Sequence, residues 1–502
     1  MRNLQIRFLT NKVTIRWLTI LNVLERNQTC SLNQISKVTQ LSTRTIIKEI
    51  QDIRGHFGDA IELSNNNVGY VFTEINYDDY TKFKRALVEE DPMFIVLKSI
   101  LESTLHSVEE WAFQFHLSES TMKRHILGVS SILKDYELMF SLTPVDLVGN
   151  EINIRKFFKD FFYEVDITPH ALIPFKEVSE EIFHLGKLDR KKLNTNISPL
   201  DFRYFLYIMI QRSKNGKHLE KDYYFKPIDY TNEEKTFLQM IDQTIQKVYQ
   251  HKISAKELHI LFLYCVTQRN IVSTESEENF CARFGHDQLE ARLVFDFLEN
   301  CDAQLKGQYD RIKILLEAFF ISIKWLNQIG SVMNKNIPDM ILFSKATYPQ
   351  GYQRSLQFIK DNQQVLTIDD RYQEDVAASL VFTVEAIRDM YVRNPRRIVF
   401  LLEGSYFVCR MIHAKAYRYL RGYHQIYFPT IEDLTQSYLE EHQIDLFVTN
   451  KEEYLTSLVK DIDFVLFKSL PDTSDWNNLL TTINPQITKD FTLGETIVTK
   501  NG

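Results

Sequence analysis

One stretch of this chain occurs twice, and that repeat constrains the fold more than any other feature of the sequence. Residues 41–57 recur at 117–133, an offset of 76 residues, and self-similarity at a fixed offset means that one structural unit is used two times. Leu41, Ser42, Thr45, Ile46, Ile50, Ile53 and Phe57 correspond in chemistry to Leu117, Ser118, Thr121, Met122, Ile126, Val129 and Leu133. Apolar residues recurring 4, 3 and 4 positions apart from Ile46 to Phe57, and again from Met122 to Leu133, place one hydrophobic stripe along a single helix of about three turns. Ser42 and Ser118 are natural N-caps for that helix.

The duplication extends upstream. Ser31 with Gln34, and Ser107 with Glu110, fit the capping box that opens a helix. Earlier still, Ile20, Leu21 and Leu24 match Val96, Leu97 and Ile100, which adds a first amphipathic helix to both copies. Each copy is therefore trihelical. After the third helix, 61–63 and 68–72 read as a hairpin around Ser64-Asn65-Asn66-Asn67, since Asn tolerates left-handed backbone. Residues 138–142 and 145–148, around Thr143-Pro144, repeat the pattern.

A trihelical unit followed by a hairpin is the layout of a winged helix-turn-helix, whose last helix enters the major groove with its N-terminal side chains at the base edges. The positions that would do so are Ser42, Thr43, Arg44, Thr45 and Lys48 in the first copy, and Ser118, Ser120, Thr121, Lys123 and Arg124 in the second. Arg and Lys can donate to guanine or phosphate, and hydroxyls can reach either. The expected partner is double-stranded DNA. The alternative reading is a protein–protein scaffold that uses trihelical units without DNA binding.

Charge supports the first reading locally. The whole chain carries a formal charge of -7, yet its first 60 residues hold nine basic side chains against four acidic ones, leaving the remainder at -12. A basic segment can neutralise phosphates, whereas an acidic remainder suits domains that signal or assemble. Five scattered cysteines show no CxxC or CxxH spacing, so no metal site is expected and a reducing compartment is. No apolar run reaches the length of about 18 residues that a membrane span needs, so a cytoplasmic protein is expected. HExxH, GxSxG, GxGxxG and GxxxxGK[ST] are all absent, and neither an enzymatic activity nor a cofactor is expected.

Beyond Gly149 the pattern becomes long and helical, with helices expected over 200–212, 233–249, 255–268, 289–298, 311–327 and 374–389, and breaks near 215–216, 273–274 and 349–351. From Arg396 short strands alternate with helices, at 397–402, 424–428, 444–449 and 464–467, which implies a small parallel sheet. The expected fold is thus multidomain and mainly α, with tandem winged helix-turn-helix units at 1–75 and 76–150, helical bundles at 151–273 and 274–392, and a C-terminal α/β domain at 393–502.

This order of modules, with the phrase Gly149-Asn150-Glu151, Ile154-Arg155 and an aromatic helix after the second winged unit, resembles the Mga family of virulence and carbohydrate-linked regulators of Gram-positive bacteria. The resemblance implies a transcriptional activator and a homodimer or larger oligomer. It also implies that the bundles are phosphotransferase-system regulation domains, phosphorylated on His by the system's phosphocarrier protein, and that the last domain is IIB-like. Where such a bundle carries an acidic residue and His ahead of Arg212, this chain has Tyr204 and Phe205, and where a later His is expected it has Tyr264. His218 is the remaining phosphoacceptor candidate, with His259 and His286 behind it. The IIB phosphocysteine is replaced by Gly404 and Ser405, and Cys409 on the following helix reads as a core residue, so no phosphoryl transfer is expected of that domain.

Overall fold

The computed structural model describes every residue except 1–2, 28, 67, 164–194, 220–227, 270–273, 286–287, 301–304, 306–308, 392–394, 459–461 and 485–502. Two compact units emerge, Met1–Arg388 and Asp389–Gly502. His286 lies outside the described residues.

The first unit opens with α1 (Asn3–Ile6), α2 (Lys12–Asn27), β1 (Thr29–Cys30), α3 (Leu32–Thr39) and α4 (Thr43–Phe57), then β2 (Ile61–Asn65) and β3 (Tyr70–Glu74). The capping box at Ser31 and the N-cap at Ser42 form as expected. The second hairpin strand begins two residues later than expected, because Gly69 occupies the turn with φ +152°. A Cβ there would stand 2.3 Å from the Cys30 carbonyl oxygen, so only glycine admits the close approach of β1. That short strand pairs with β3 and completes a three-stranded sheet in the order β1-β3-β2.

The second copy follows a linking helix, α5 (Tyr77–Glu89), and comprises α6 (Pro92–Glu102), α7 (Val108–Gln114), α8 (Glu119–Gly128), α9 (Ser130–Lys134), β4 (Met139–Leu142) and β5 (Val145–Val148). Its hairpin forms around a cis Thr143–Pro144 peptide, pairing Leu142 with Val145. The unbroken third helix expected from Met122 to Leu133 does not form. The helix stops at Gly128 and restarts after Val129. Where the first copy has Asp52, this one has Gly128, a poorer helix former by roughly half a kcal/mol or less relative to Asp. The stripe survives the break, since Met122, Ile126, Val129 and Leu133 are all buried.

Next come α10 (Glu151–Phe162), α11 (Pro199–Lys214), α12 (Asn232–Tyr249), α13 (Ala255–Val266), α14 (Thr274–Phe284), α15 (Gln288–Glu299), α16 (Tyr309–Ile329), α17 (Pro338–Thr347), α18 (Pro349–Asp361), α19 (Gln363–Leu366) and α20 (Gln373–Tyr391). Residues 349–351, expected as a break, instead open α18. Pro349 stands in the first helical turn, where its missing N–H costs nothing. The two copies differ in their cores. The first closes around its own cluster, including Ile20, Ile46, Ile53, Phe57 and Tyr80, whereas the second shares one continuous cluster with α10, α11, α13 and α16.

In the second compact unit β6 (Arg397–Leu401), α21 (Tyr406–Leu420), β7 (Gln425–Tyr427), α22 (Gln436–Glu441), β8 (Leu446–Thr449), α23 (Glu452–Leu458), β9 (Asp463–Leu466) and α24 (Thr473–Ile483) build an all-parallel sheet ordered β7-β6-β8-β9. Ile398 and Phe400 face one apolar layer with Ile412 and Leu479, and Val399 and Leu401 face another with Leu439. Coverage on both faces is what a parallel sheet requires. Cys409 is half-buried and not a full member of the core.

Candidate nucleic-acid interface

Each third helix begins with the same local chemistry. The Ser42 hydroxyl accepts from the Thr45 N–H at 3.1 Å, and the two side-chain oxygens lie 2.8 Å apart. Ser118 accepts from Thr121 N–H at 3.2 Å and contacts the Ser120 and Thr121 hydroxyls. Ser42, Ser118, Thr45 and Thr121 therefore spend part of their bonding capacity on the cap, and the two threonines are half-buried. Thr43, Arg44 and Lys48, with Ser120, Lys123 and Arg124, are exposed. The remaining N–H groups of a helix's first turn favour an anion.

The electrostatics of the two helices are not equal. Glu49 of α4 is turned inward, where Arg16 Nε donates to it at 2.6 Å and Trp17 Nε1 at 2.7 Å. The outer face of α4 thus keeps Arg44, Lys48 and Arg54 against Asp52, with no acid in its first turn. In α8 the first turn carries Glu119, which opposes a phosphate there. The residue matching Glu49 is His125, whose imidazole burial holds below its ordinary value, against the attraction of Asp91.

The second unit's hairpin is tied to the helical region that follows. Lys217 Nζ contacts Asp146 of β5 at 2.9 Å, and Arg371 Nη1 contacts Glu137, just before β4, at 2.9 Å. Beneath the hairpin lies a buried ionic group. Arg155 Nε donates to Glu151 at 2.9 Å and its Nη2 to Glu257 at 2.8 Å, while Arg212 donates to both Glu151 oxygens at 2.9 and 2.7 Å. Two carboxylates and two guanidiniums balance, as burial of charge demands. Arg155 Nη2 also donates to the Lys217 carbonyl at 3.2 Å. Sequence reasoning took α10 for an aromatic helix and missed this role, although Glu151/Arg155 and Lys156/Asp160 sit at the i,i+4 spacing that announces helical ion pairs.

The histidine candidates separate clearly. His218 is exposed in the loop after α11, beside Lys217. His259 is half-buried with Nδ1 2.6 Å from the Tyr230 hydroxyl, and burial lowers its affinity for a proton. Phe205 and Tyr264, where the resemblance implies histidines, are buried. Tyr264 stacks on Phe205 at 4.1 Å and donates to Asp201 at 2.9 Å. No group of His, Cys, Asp and Glu suited to a metal occurs among the described residues. No described helix is long and apolar enough to cross a membrane.

Comparison with known proteins bears on this region first. Residues 78–162, from α5 to the end of α10, match the Mga helix-turn-helix domain. A protein of Streptococcus pneumoniae serotype 4, whose name describes a trans-acting regulator, is 25% identical over 32% of each chain. The capsule synthesis positive regulator AcpB of Bacillus anthracis is 18% identical over 74% of this chain and 79% of its own, and AcpA of the same organism 24% identical over 47% and 44%. The chain thus spans about a third of the first relative's length and under half of AcpA's.

Proposed function

We propose that this chain is a transcriptional regulator of the Mga family that binds duplex DNA through α4 and α8 and activates transcription in the cytoplasm. The observation that carries the reading is the duplicated trihelical unit with a capped, exposed basic helix in each copy. The naming of two relatives as positive regulators supports activation. Arg44 and Lys48 engage phosphate and guanine at one segment, and Lys123 and Arg124 do so at the next. The genes served are virulence or carbohydrate-linked.

A salt series tests this directly. Each phosphate-bound cation accounts for a slope of about 0.9 in a plot of log affinity against log salt. Arg44→Ala with Lys48→Ala is therefore expected to weaken binding and make the slope shallower by about 0.9 for one phosphate contact and about 1.8 for two. Affinity and slope equal to wild type would remove α4 from the interface.

The helical region tunes this activity. In the reading we favour, it acts as two phosphotransferase-system regulation domains in a homodimer or larger oligomer, and His218 accepts phosphate from the phosphocarrier protein. The exposure of His218, and its place beside a lysine bound to the second hairpin, support that choice. Phosphate there would add negative charge next to the Lys217–Asp146 contact. His218→Asp is expected to change both sedimentation and promoter output; wild-type behaviour in both would refute the assignment.

A further inference from the structure

The two trihelical units are joined at one carboxylate. Asp91 caps α6 through Oδ1, which accepts the Met93 N–H at 3.0 Å. Its other oxygen accepts the Thr10 N–H at 2.7 Å, the Thr10 hydroxyl at 2.8 Å and the Asn11 N–H at 3.4 Å. Thr10 and Asn11 lead directly into α2, and α2 and α6 are the equivalent first helices of the two copies. Buried Asp91 therefore caps α6 and anchors the two residues ahead of α2, whose own first N–H groups are accepted by the Asn11 side chain.

The residues before Thr10 belong to the opposite copy from the one they precede. Leu4, Ile6, Phe8 and Leu9 are members of the core cluster of the second unit, not of the first. Phe8 packs against Phe157 and Phe161 of α10 at 5.6 and 5.1 Å, and buried Gln5 Nε2 donates to the Phe161 carbonyl at 2.7 Å. The first unit is thus held from both sides, by residues 3–11 ahead of α2 and by α5 behind β3. Tyr80 of α5 lies in the first core and Val88 in the second.

We infer that Asp91 and the strap of residues 3–11 are positioning elements that fix the two recognition helices relative to each other, so that the chain reads a two-part DNA site of set spacing as one rigid body. This rests on the DNA-binding reading above. Linked sites gain affinity only when geometry lets both engage at once, and one inserted base pair turns the second segment by about 35° around the duplex axis.

The experiment uses the full chain and a duplex selected by it from a random-sequence pool, footprinted to find the two contacted segments. For wild type, one base pair inserted between the segments is expected to lower affinity about a hundredfold, the low end of the gain that linked sites give. Asp91→Asn has one acceptor oxygen for two sets of donors, so it keeps the α6 cap and loosens the strap. In it the parent and inserted duplexes are expected to bind within about twofold of each other, because each unit then engages independently. Thr10→Val, which removes one donor alone, is expected to fall between, and it carries the test if Asp91→Asn does not unfold cooperatively. A wild-type penalty retained in full by both variants, or a footprint of one segment only, would overturn the inference while leaving DNA binding intact. Failure of the wild type to select any duplex would instead overturn the DNA-binding reading.

Discussion

The two trihelical units share a sequence pattern and differ in what holds them. The first closes its own core and adds a third strand. The second leaves its core open to α10, α11, α13 and α16. A unit with its own core buries its apolar surface by itself, whereas the second relies on the helices that follow it for part of its burial. The difference repeats at one matched position. Glu49 is neutralised by Arg16 inside the first unit, and His125 sits in the second within the field of Asp91.

The largest expected break in this comparison is at α10. Glu151→Gln leaves Arg155 and Arg212 buried beside a single carboxylate, and loss of one partner from a buried pair costs about 3–5 kcal/mol. Glu49→Gln, where Arg16 is 30% exposed at its side chain, is expected to cost about 1–3 kcal/mol. Denaturant unfolding of the two variants checks the order, and equal losses would contradict the distinction between the cores.

Next in size is Gly69→Ala, which forces a Cβ against Cys30 in the first unit alone. A loss of about 1–3 kcal/mol is expected from the strained backbone, and amide exchange should accelerate in β1 and β3 but not in β4 and β5. Ser42→Ala and Ser118→Ala sharpen the comparison from the side of similarity. Each removes the same cap, so each is expected to cost about 1 kcal/mol, read as matching shifts in Tm. A large inequality would show that one cap is not the chief partner of its helix.

The smallest effect concerns pH. Because burial lowers the folded-state value of His125 from 6.5, the unfolded chain takes up the proton first as pH falls. Stability should therefore decline as pH drops through 6.5 and level off below the folded-state value. His125→Gln is expected to flatten that decline. His259, His413 and His424 are lowered by burial too, so part of the slope should remain, and a variant titrating just like wild type would exclude His125 as a contributor.

Much of this was legible before any coordinates. The serine caps, the two capping boxes, the apolar stripes and the strand–helix alternation after Arg396 all depend on neighbours within four residues or on a period of 2 or 3.6, and such patterns survive in a linear string. Those same rules placed Arg44, Lys48, Lys123 and Arg124 on exposed faces. They misplaced the end of α8, because a continuous apolar stripe does not reveal a break that Gly128 permits.

What the sequence by itself determined, then, is that one trihelical unit occurs twice and that each copy presents a capped basic helix. Tertiary structure alone decided which core each segment joins. Nothing local marks Gln5 as a partner of Phe161, Asp91 as a partner of Thr10, or Arg155 as a partner of Glu257, since these contacts span 156, 81 and 102 residues. Burial energy depends on which surfaces meet, not on their order along the chain, and so the repeat specified two units while only folding made them unequal.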